Sequence, residues 1–201
     1  TNGKTSTANI ISEIFAKSGY KTVSNSRGDN IVNGITSLLI QNSSLSFKIN
    51  ADVLILEIDE LTMAKQLKNI KASDIVITNF FIDQLDRAGE IESIINKIIS
   101  AIKNYKARLF INEDDPNVKR LSKISEDIKI VSFSVDTNII KKNYEDEKAK
   151  FCPICGNNLR YEYYNYSHIG KYSCTNCSFK SEKADYLAKN INYSDNSFEI
   201  E

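Results

Sequence analysis

The chain has 201 residues, a length that can bury one good core or a core with a small appendage. Lys and Arg together number 26, as do Asp and Glu, so the chain carries no excess charge that would attract nucleic acid or an anionic membrane. The longest apolar runs, such as residues 53–56, are far shorter than the roughly 18 residues that indicate a membrane-spanning helix. We therefore expect neither a nucleic-acid partner nor a transmembrane segment.

The first residues, Thr1-Asn2-Gly3-Lys4-Thr5, read as the second half of a Walker A phosphate-binding loop. In that loop backbone N–H groups surround the phosphates, the lysine reaches the β- and γ-phosphates, and the Ser/Thr hydroxyl binds magnesium. Lys4 and Thr5 are the candidates for the last two roles. The predicted nucleotide contacts are Asn2, Gly3, Lys4, Thr5 and Ser6.

The first glycine of that motif and the strand that should precede it are missing, and the only methionine is Met63. We therefore expect a natural N-terminus further upstream. We also expect the chain as it stands to bind ATP poorly, because Lys4 and Thr5 would lie at a frayed terminus.

Helical and extended patterns alternate along the next part of the chain. Predicted helices cover 5–18, 29–41, 61–69, 90–104 and 116–125, and predicted strands cover 21–24, 52–58, 75–78, 108–111 and 128–133. The run 52–58 is apolar before its acidic end, which is typical of a strand buried on both faces. This alternation predicts an α/β fold with a mainly parallel sheet flanked by helices.

Polar residues follow three of the predicted strands, at the edge where ligands bind in such sheets. They are Glu57, Asp59 and Glu60, then Asn79 and Asp83, then Asn112, Asp114 and Asp115. Glu57 lies where a phosphate-loop fold needs a magnesium-binding carboxylate, and we predict that role for it. Residues 112–116 could equally contact a nucleotide or form a helix N-cap, with Asp115 as the cap and Pro116 in the first turn.

All four cysteines lie in two CxxC pairs, Cys152 with Cys155 and Cys174 with Cys177, separated by 18 residues. This spacing predicts a four-thiolate zinc site rather than two disulfides or free thiols. Four protein ligands leave no open coordination position, so the zinc is expected to be structural. His168, the only histidine, is expected at the surface of the intervening hairpin.

Composition divides the chain into four predicted parts. Residues 1–140 form the phosphate-loop core, 141–150 a polar linker of mixed charge, 151–180 a zinc ribbon, and 181–201 strands that return to the core. We interpret the tyrosines of the ribbon as cover for the metal site and not as a stacking surface for nucleic acid.

The order of these motifs resembles the central ATP-binding domain of Mur ligases. The resemblance rests on Thr1-Asn2-Gly3-Lys4-Thr5, Leu56-Glu57-Ile58-Asp59-Glu60, Thr78-Asn79 with Asp83-Gln84-Leu85-Asp86, and Asn112-x-Asp114-Asp115-Pro116. The inserted ribbon, with Tyr166-Ser167-His168-Ile169-Gly170-Lys171-Tyr172 between its pairs, and Asn30-x3-Gly34-Ile35-Thr36-Ser37 are similar to one branch of that family, the synthetase subunits of lipid II isoglutaminyl synthases. Most Mur ligases carry His where this chain has Gln84, a departure shared with that branch.

The resemblance implies an ATP-dependent ligase that amidates the α-carboxylate of D-glutamate in the lipid II stem peptide through an acyl phosphate. Ammonia would come from a separate GatD-like glutaminase subunit in a heterodimer. The implied catalytic residues are Lys4 and Glu57, the implied magnesium ligands are Thr5 and Glu57, and Asn79 and Asn112 would contact the nucleotide. Such an enzyme would be cytoplasmic and would work at the inner face of the cell membrane. The family's C-terminal domain has no counterpart in this sequence, so we expect the chain alone to be inactive.

Two alternatives remain open. One is an ordinary Mur or folylpolyglutamate-type ligase, which adds an amino acid instead of ammonia; the ribbon argues against it. The other is a non-catalytic zinc-ribbon binding module on a phosphate-loop scaffold.

Overall fold

The computed structural model describes residues 3–25, 32–46, 48–81, 88–103, 105–125, 127–136, 151–189, 191–194 and 197–199. The predictions for Asn2, for Asp83 and Gln84, and for the linker 141–150 fall outside these residues. The helices are α1 (Lys4–Lys17), α2 (Val32–Gln41), α3 (Glu60–Gln66), α4 (Ala88–Ile102) and α5 (Pro116–Lys119), and a 3-10 helix covers Arg120–Lys123. The strands are β1 (Thr22–Ser24), β2 (Val53–Ile55), β3 (Asp74–Ile77), β4 (Arg108–Asn112), β5 (Lys129–Val135), β6 (Leu159–Tyr166), β7 (Ile169–Cys174), β8 (Tyr186–Ala188), β9 (Asn192–Ser194) and β10 (Ser197–Glu199).

The main sheet has the strand order β3-β4-β5-β8, and all of its pairs are parallel. Its core forms where α4 packs on the sheet, because Ile95, Ile98 and Ile102 recur on one helical face and are at most 1% exposed. They belong to one apolar cluster with Leu109 and Ile111 of β4. Full burial of each such side chain stabilises the fold by about 1.5–3 kcal/mol, so this packing fixes β3 and β4 in place. The predicted α/β fold is confirmed.

Strands β1 and β2 form a second, smaller parallel sheet. The predicted strand 52–58 is shortened to Val53–Ile55. Its residues are only half-buried, so the prediction that both faces of this strand are buried was wrong. The side chain of Asn25 explains the early end. Its Oδ1 accepts from the backbone N–H of Glu57 at 2.7 Å, and its Nδ2 donates to the Glu57 carbonyl at 2.8 Å, so a side-chain amide takes the place of a neighbouring strand there.

The helix expected over 116–125 is divided in two. Asp115 caps it, because Asp115 Oδ1 accepts from the N–H groups of Asn117 and Val118 at 2.8 and 3.4 Å, and Pro116 occupies the first turn as predicted. The α-helical part is only four residues long and continues as the 3-10 turn.

The cysteine-containing segment lies between β5 and β8 in the chain. Strands β6 and β7 form an antiparallel hairpin, β8 then joins the main sheet beside β5, and β9 and β10 pair as a separate hairpin. The chain thus returns to the main sheet at β8, whereas β9 and β10 pair only with each other among the described strands. Among the helices that the structure describes, none is both long and apolar enough to cross a membrane.

Candidate functional site

The N-terminal end of α1 carries the glycine and lysine of the predicted phosphate loop. Gly3 caps the helix with φ 77° and ψ 6°, in the left-handed region that a side chain disfavours. Its carbonyl accepts from the N–H and the hydroxyl of Thr7 at 2.9 and 2.8 Å. Thr5 and Ser6 lie exposed in the first turn, where the helix N–H groups and dipole favour an anion.

Lys4 contacts the start of α3, in the acidic segment that follows β2. Its Nζ lies 3.1 Å from Oε2 of Glu60, the first residue of α3. Burial raises the pKa of Glu60, but hydrogen bonds from its own backbone N–H and from Lys4 outweigh that effect and hold the pKa below its usual value. The contact joins two of the predicted motifs, the lysine of the loop and the acidic end of β2.

Glu57 lies in the same acidic end and is only 6% exposed. Its backbone is fixed on both sides by the Asn25 amide, which is itself 5% exposed. Asn25 was not among the sequence candidates. Its spacing to Glu57 carries no motif, so only the three-dimensional fold reveals this pair.

Asn79 and Asn112 lie at the carboxyl ends of β3 and β4. Asn79 is 8% exposed. The Asn112 side chain donates from Nδ2 to the Thr78 carbonyl at 2.9 Å and accepts at Oδ1 from the Asp114 N–H at 3.0 Å. Asn112 thus ties the ends of the two strands together next to Asn79.

The four cysteine sulfurs converge. All four lie within 4.8 Å of one another, and none forms a disulfide. Two close pairs cross between the CxxC turns, with Cys152 Sγ 3.7 Å from Cys177 Sγ and Cys155 Sγ 3.5 Å from Cys174 Sγ. Four sulfurs about 2.3 Å from one zinc ion would be about 3.8 Å apart, so the cluster fits a tetrahedral zinc.

Backbone N–H groups surround these sulfurs. Cys152 Sγ accepts from Ile154, and Cys174 Sγ accepts from both Asn176 and Cys177, each at 3.4 Å. Hydrogen bonds of this kind favour a thiolate, the form of cysteine that binds a metal. The effect differs between the four thiols: the backbone N–H of Asn157 lowers the pKa of Cys155, whereas burial raises the pKa of Cys152.

The segment Glu113–Asp115 binds the hairpin. Its backbone carbonyls accept from the hairpin, Glu113 O from the Tyr172 hydroxyl at 3.4 Å and Asp114 O from the Gly170 N–H at 2.9 Å. The Asp114 carboxylate accepts from Ser134 Oγ at 2.7 Å and from the Val135 N–H at 2.9 Å. Burial raises the pKa of Asp114 to about 6 despite these hydrogen bonds.

The expectation that His168 lies at the surface was wrong. The residue is 4% exposed, its Nε2 lies 3.3 Å from Asp115 Oδ2, and its ring packs edge-on against Phe81 with 4.9 Å between centroids. A hairpin tip is normally exposed, and no local pattern signals that this one docks on the core.

Comparison with known proteins decides the family. A family model described as the Mur ligase middle domain matches residues 1–180. The chain belongs to the Mur ligase family. The matched residues include both Lys4 and the four clustered cysteines.

Among curated Mur ligase relatives, two MurT subunits of lipid II isoglutaminyl synthase (glutamine-hydrolyzing) are similar to this chain. The Staphylococcus aureus (strain COL) protein is 38% identical over 186 residues, which cover 92% of this chain and 41% of that relative. The Streptococcus pneumoniae (strain ATCC BAA-255 / R6) protein is 31% identical over 198 residues, or 98% of this chain and 44% of that relative. The chain thus spans about two-fifths of the length of these relatives.

A solved structure has the same fold over the whole chain. It is a pseudomurein peptide ligase type C from Methanothermus fervidus, with a TM-score of 0.71 and 26% sequence identity, and the match covers 100% of this chain and 40% of that chain.

Proposed function

We propose that this chain is the ATP-binding part of a ligase that amidates the α-carboxylate of D-glutamate in the stem peptide of lipid II. The observation that carries the proposal is the meeting of Lys4 with the acidic end of β2, where Nζ lies 3.1 Å from Glu60 Oε2. A lysine beside carboxylates supports the proposal, because phosphoryl transfer from a magnesium nucleotide needs a cation for the phosphates and carboxylates for the metal. The MurT relatives, named as subunits of a glutamine-hydrolysing synthase, support amidation as the specific reaction.

The reaction has two steps on the substrate. A carboxylate oxygen of D-glutamate attacks the γ-phosphorus of ATP, the bond to the β-phosphate oxygen breaks, and an acyl phosphate and ADP form. Ammonia then attacks the acyl carbon, loses a proton, and expels phosphate to leave the amide. Activation as an acyl phosphate supplies the leaving group that a bare carboxylate lacks.

The residues of this chain have separate tasks in that scheme. Lys4 binds the β- and γ-phosphates and neutralises the charge that develops during transfer. Thr5 and Glu57 hold the magnesium that accompanies ATP, and the N–H groups of Gly3, Thr5 and Ser6 contact phosphate oxygens. Asn79 and Asn112 contact the nucleotide at the next strand ends. The side-chain amide of Asn112 already forms hydrogen bonds with Thr78 and Asp114, so its contact with the nucleotide would be an additional one.

The cysteine cluster is proposed to bind one structural zinc ion through Cys152, Cys155, Cys174 and Cys177. The crossed sulfur distances of 3.7 and 3.5 Å support tetrahedral coordination by all four thiolates. Such a site holds the two CxxC turns together and leaves no position for a substrate.

The ammonia is proposed to come from a GatD-like glutaminase subunit that forms a heterodimer with the full-length protein. The relatives' name, a subunit of a glutamine-hydrolysing enzyme, supports a partner of this kind. We also propose that the enzyme works in the cytoplasm at the inner face of the membrane, where the peptide of lipid II is accessible.

An amino-acid ligase is the second candidate, and the solved peptide ligase with the same fold favours it. The two candidates differ in the nucleophile that attacks the acyl phosphate. Phosphate release by the full-length protein should be measured with ATP and lipid II, adding either ammonium or a panel of amino acids. Phosphate release that depends on ammonium supports the amidating enzyme, and phosphate release that depends on an amino acid supports the amino-acid ligase. No nucleotide turnover with either would favour a non-catalytic zinc-ribbon module.

A further inference from the structure

The acidic segment after β2 is held at two points of different character. At its far end the carboxylate of Glu60 pairs with Lys4, and these side chains are 25% and 22% exposed. At its near end Glu57 is bound by Asn25, and these residues are only 6% and 5% exposed. The contact at Glu57 is therefore the more deeply buried of the two.

The register of the small sheet explains why Glu57 has a side chain as its neighbour. The last backbone pair between β1 and β2 joins Ser24 to Ile55. Asn25 follows Ser24 directly, and Glu57 lies two residues beyond Ile55. Beyond the end of this ladder, the Asn25 side chain supplies the hydrogen bonds that a neighbouring strand would otherwise make.

Both polar backbone groups of Glu57 bond to the same carboxamide. Asn25 Oδ1 accepts from the Glu57 N–H at 2.7 Å, and Asn25 Nδ2 donates to the Glu57 carbonyl at 2.8 Å. A carboxamide can do this because it carries a donor and an acceptor in one plane. Two bonds to the backbone of one residue fix the direction in which its side chain leaves the main chain.

The two contacts would respond differently to a nucleotide. A phosphate that binds Lys4 competes with Glu60 for the ammonium group, so that ion pair must open. The bonds from Asn25 are made to backbone groups of Glu57, which a phosphate does not need to displace. The Asn25 contact can therefore persist while the Lys4 contact is exchanged.

We propose that Asn25 is a positioning residue for Glu57 and thereby raises the affinity for magnesium. The inference rests on the proposed magnesium role of Glu57. Carboxylate oxygens are the ligands that magnesium prefers, and a ligand that is already fixed in place binds without a further loss of conformational freedom. Asn25 should therefore affect magnesium binding more than it affects the phosphate contacts of Lys4.

The first test is amide exchange at Glu57, which requires no nucleotide. In full-length protein, Asn25→Ala should make this amide exchange about tenfold faster or more, because the acceptor of its hydrogen bond is lost. The matched control is Asn42→Ala, directly after α2, which removes a bond of similar length from Nδ2 to the Leu38 carbonyl at 2.8 Å. The control should leave exchange at Glu57 unchanged, and unchanged exchange in Asn25→Ala would overturn the inference.

The second test separates magnesium binding from phosphate binding. Calorimetry gives the affinity for ATP with magnesium and again in EDTA, and the ratio of the two affinities measures the contribution of the metal. Asn25→Ala should lower this ratio about tenfold and leave the affinity in EDTA within about twofold of the wild type. Asn42→Ala should change neither. An equal loss of affinity with and without magnesium in Asn25→Ala would show a general defect of the fold and would overturn the inference.

Glu57→Gln tests whether Asn25 acts through Glu57. This variant keeps the backbone but removes the charge that binds the metal, so adding Asn25→Ala should lower the magnesium contribution little further. Fully additive losses would contradict a shared route.

Asn25→Ser replaces Asn25→Ala if that protein does not fold. Its single hydroxyl oxygen cannot occupy the positions of both Oδ1 and Nδ2, so we expect faster exchange at Glu57 and a smaller magnesium contribution, each in the same direction as for Ala. Wild-type values of both quantities in Asn25→Ser would overturn the inference. A wild type whose ATP affinity does not depend on magnesium would overturn the proposed role of Glu57 as well, whereas a magnesium-dependent wild type with an unchanged ratio in Asn25→Ala would overturn the inference alone.

Discussion

The ammonium group of Lys4 lies 3.1 Å from the carboxylate of Glu60, 56 residues further along the chain. This contact joins the N-terminal turn of α1 to the start of α3, directly after the acidic end of β2. A nucleotide phosphate bound by Lys4 would compete for the same ammonium group. The pair therefore holds the lysine at the proposed phosphate site when no nucleotide is present.

Replacing Lys4 should abolish productive nucleotide binding. Lys4→Met keeps a long side chain but removes the charge that neutralises the phosphates, so we expect Mg·ATP affinity and turnover in the full-length protein to fall about 100-fold or more. Calorimetry and a phosphate-release assay measure the two effects. Lys17→Met, at the opposite end of α1 and with its side chain 80% exposed, is the matched control and should behave as the wild type. Equal losses in both variants would show that the charge of α1, and not the position of Lys4, matters.

The buried ion pair beneath the hairpin should contribute strongly to stability. Lys119 Nζ lies 2.5 Å from Glu113 Oε1, and the two side chains are 12% and 2% exposed. Lys119→Met leaves a buried carboxylate without its cation, so the free energy of unfolding in urea should fall by about 3 kcal/mol. Lys171→Met breaks an exposed pair with Glu162 and should cost no more than about 0.5 kcal/mol. A similar small loss in both would contradict the burial argument.

Asp114 should make the unfolding free energy depend on pH. Burial raises its pKa in the folded protein to about 6 from the ordinary 3.8 of an exposed Asp, so the folded state binds a proton that the unfolded state releases. The contribution of this group therefore favours folding at low pH and is lost as pH rises from about 4 to about 6, by roughly 3 kcal/mol in total.

Asp114→Asn mimics the protonated form and isolates this effect. The unfolding free energy of the variant minus that of the wild type should increase between pH 4 and pH 6 and stay constant above pH 7. Taking the difference removes contributions shared by both proteins, including thiolate protonation. A difference that does not change with pH would mean that Asp114 has an ordinary pKa in the folded protein.

Loss of one thiolate should release the metal and unfold the ribbon locally. We expect about one zinc per chain in the wild type by elemental analysis, and substantially less in Cys174→Ser. Trypsin should then cleave within residues 151–180, while the segment from α4 to β4, whose Ile95 and Ile111 are fully buried, stays protected. The neighbouring exposed Ser173→Ala is the control and should keep its zinc. Full zinc occupancy in Cys174→Ser would contradict four-thiolate binding.

The sequence predicted those parts of the structure that short-range patterns determine. The spacing of Ile95, Ile98 and Ile102 predicted α4, and the CxxC pairs predicted that the four cysteine sulfurs converge, because each signal lies within a few residues. For Asp115 and Pro116 the sequence left a helix N-cap and a nucleotide contact equally open, and the structure shows the N-cap.

Contacts between distant segments could not be predicted in this way. The burial of His168 depends on docking against Asp115 and Phe81, and the early end of β2 depends on the Asn25 side chain. The exposure of Ile10 and Ile14, at 50% and 59%, was also not evident, since an apolar helical face does not specify what covers it. These outcomes depend on tertiary packing, which a single sequence encodes only indirectly.

The most direct test of the proposed function is ATP hydrolysis by the full-length protein with lipid II, glutamine and a GatD-like glutaminase. We expect phosphate release to require all of these components, except that ammonium can replace glutamine and the glutaminase. Mass spectrometry should then show lipid II with an amide in place of one carboxylate. Phosphate release that requires a free amino acid, with that amino acid joined to the product, would contradict the proposed function.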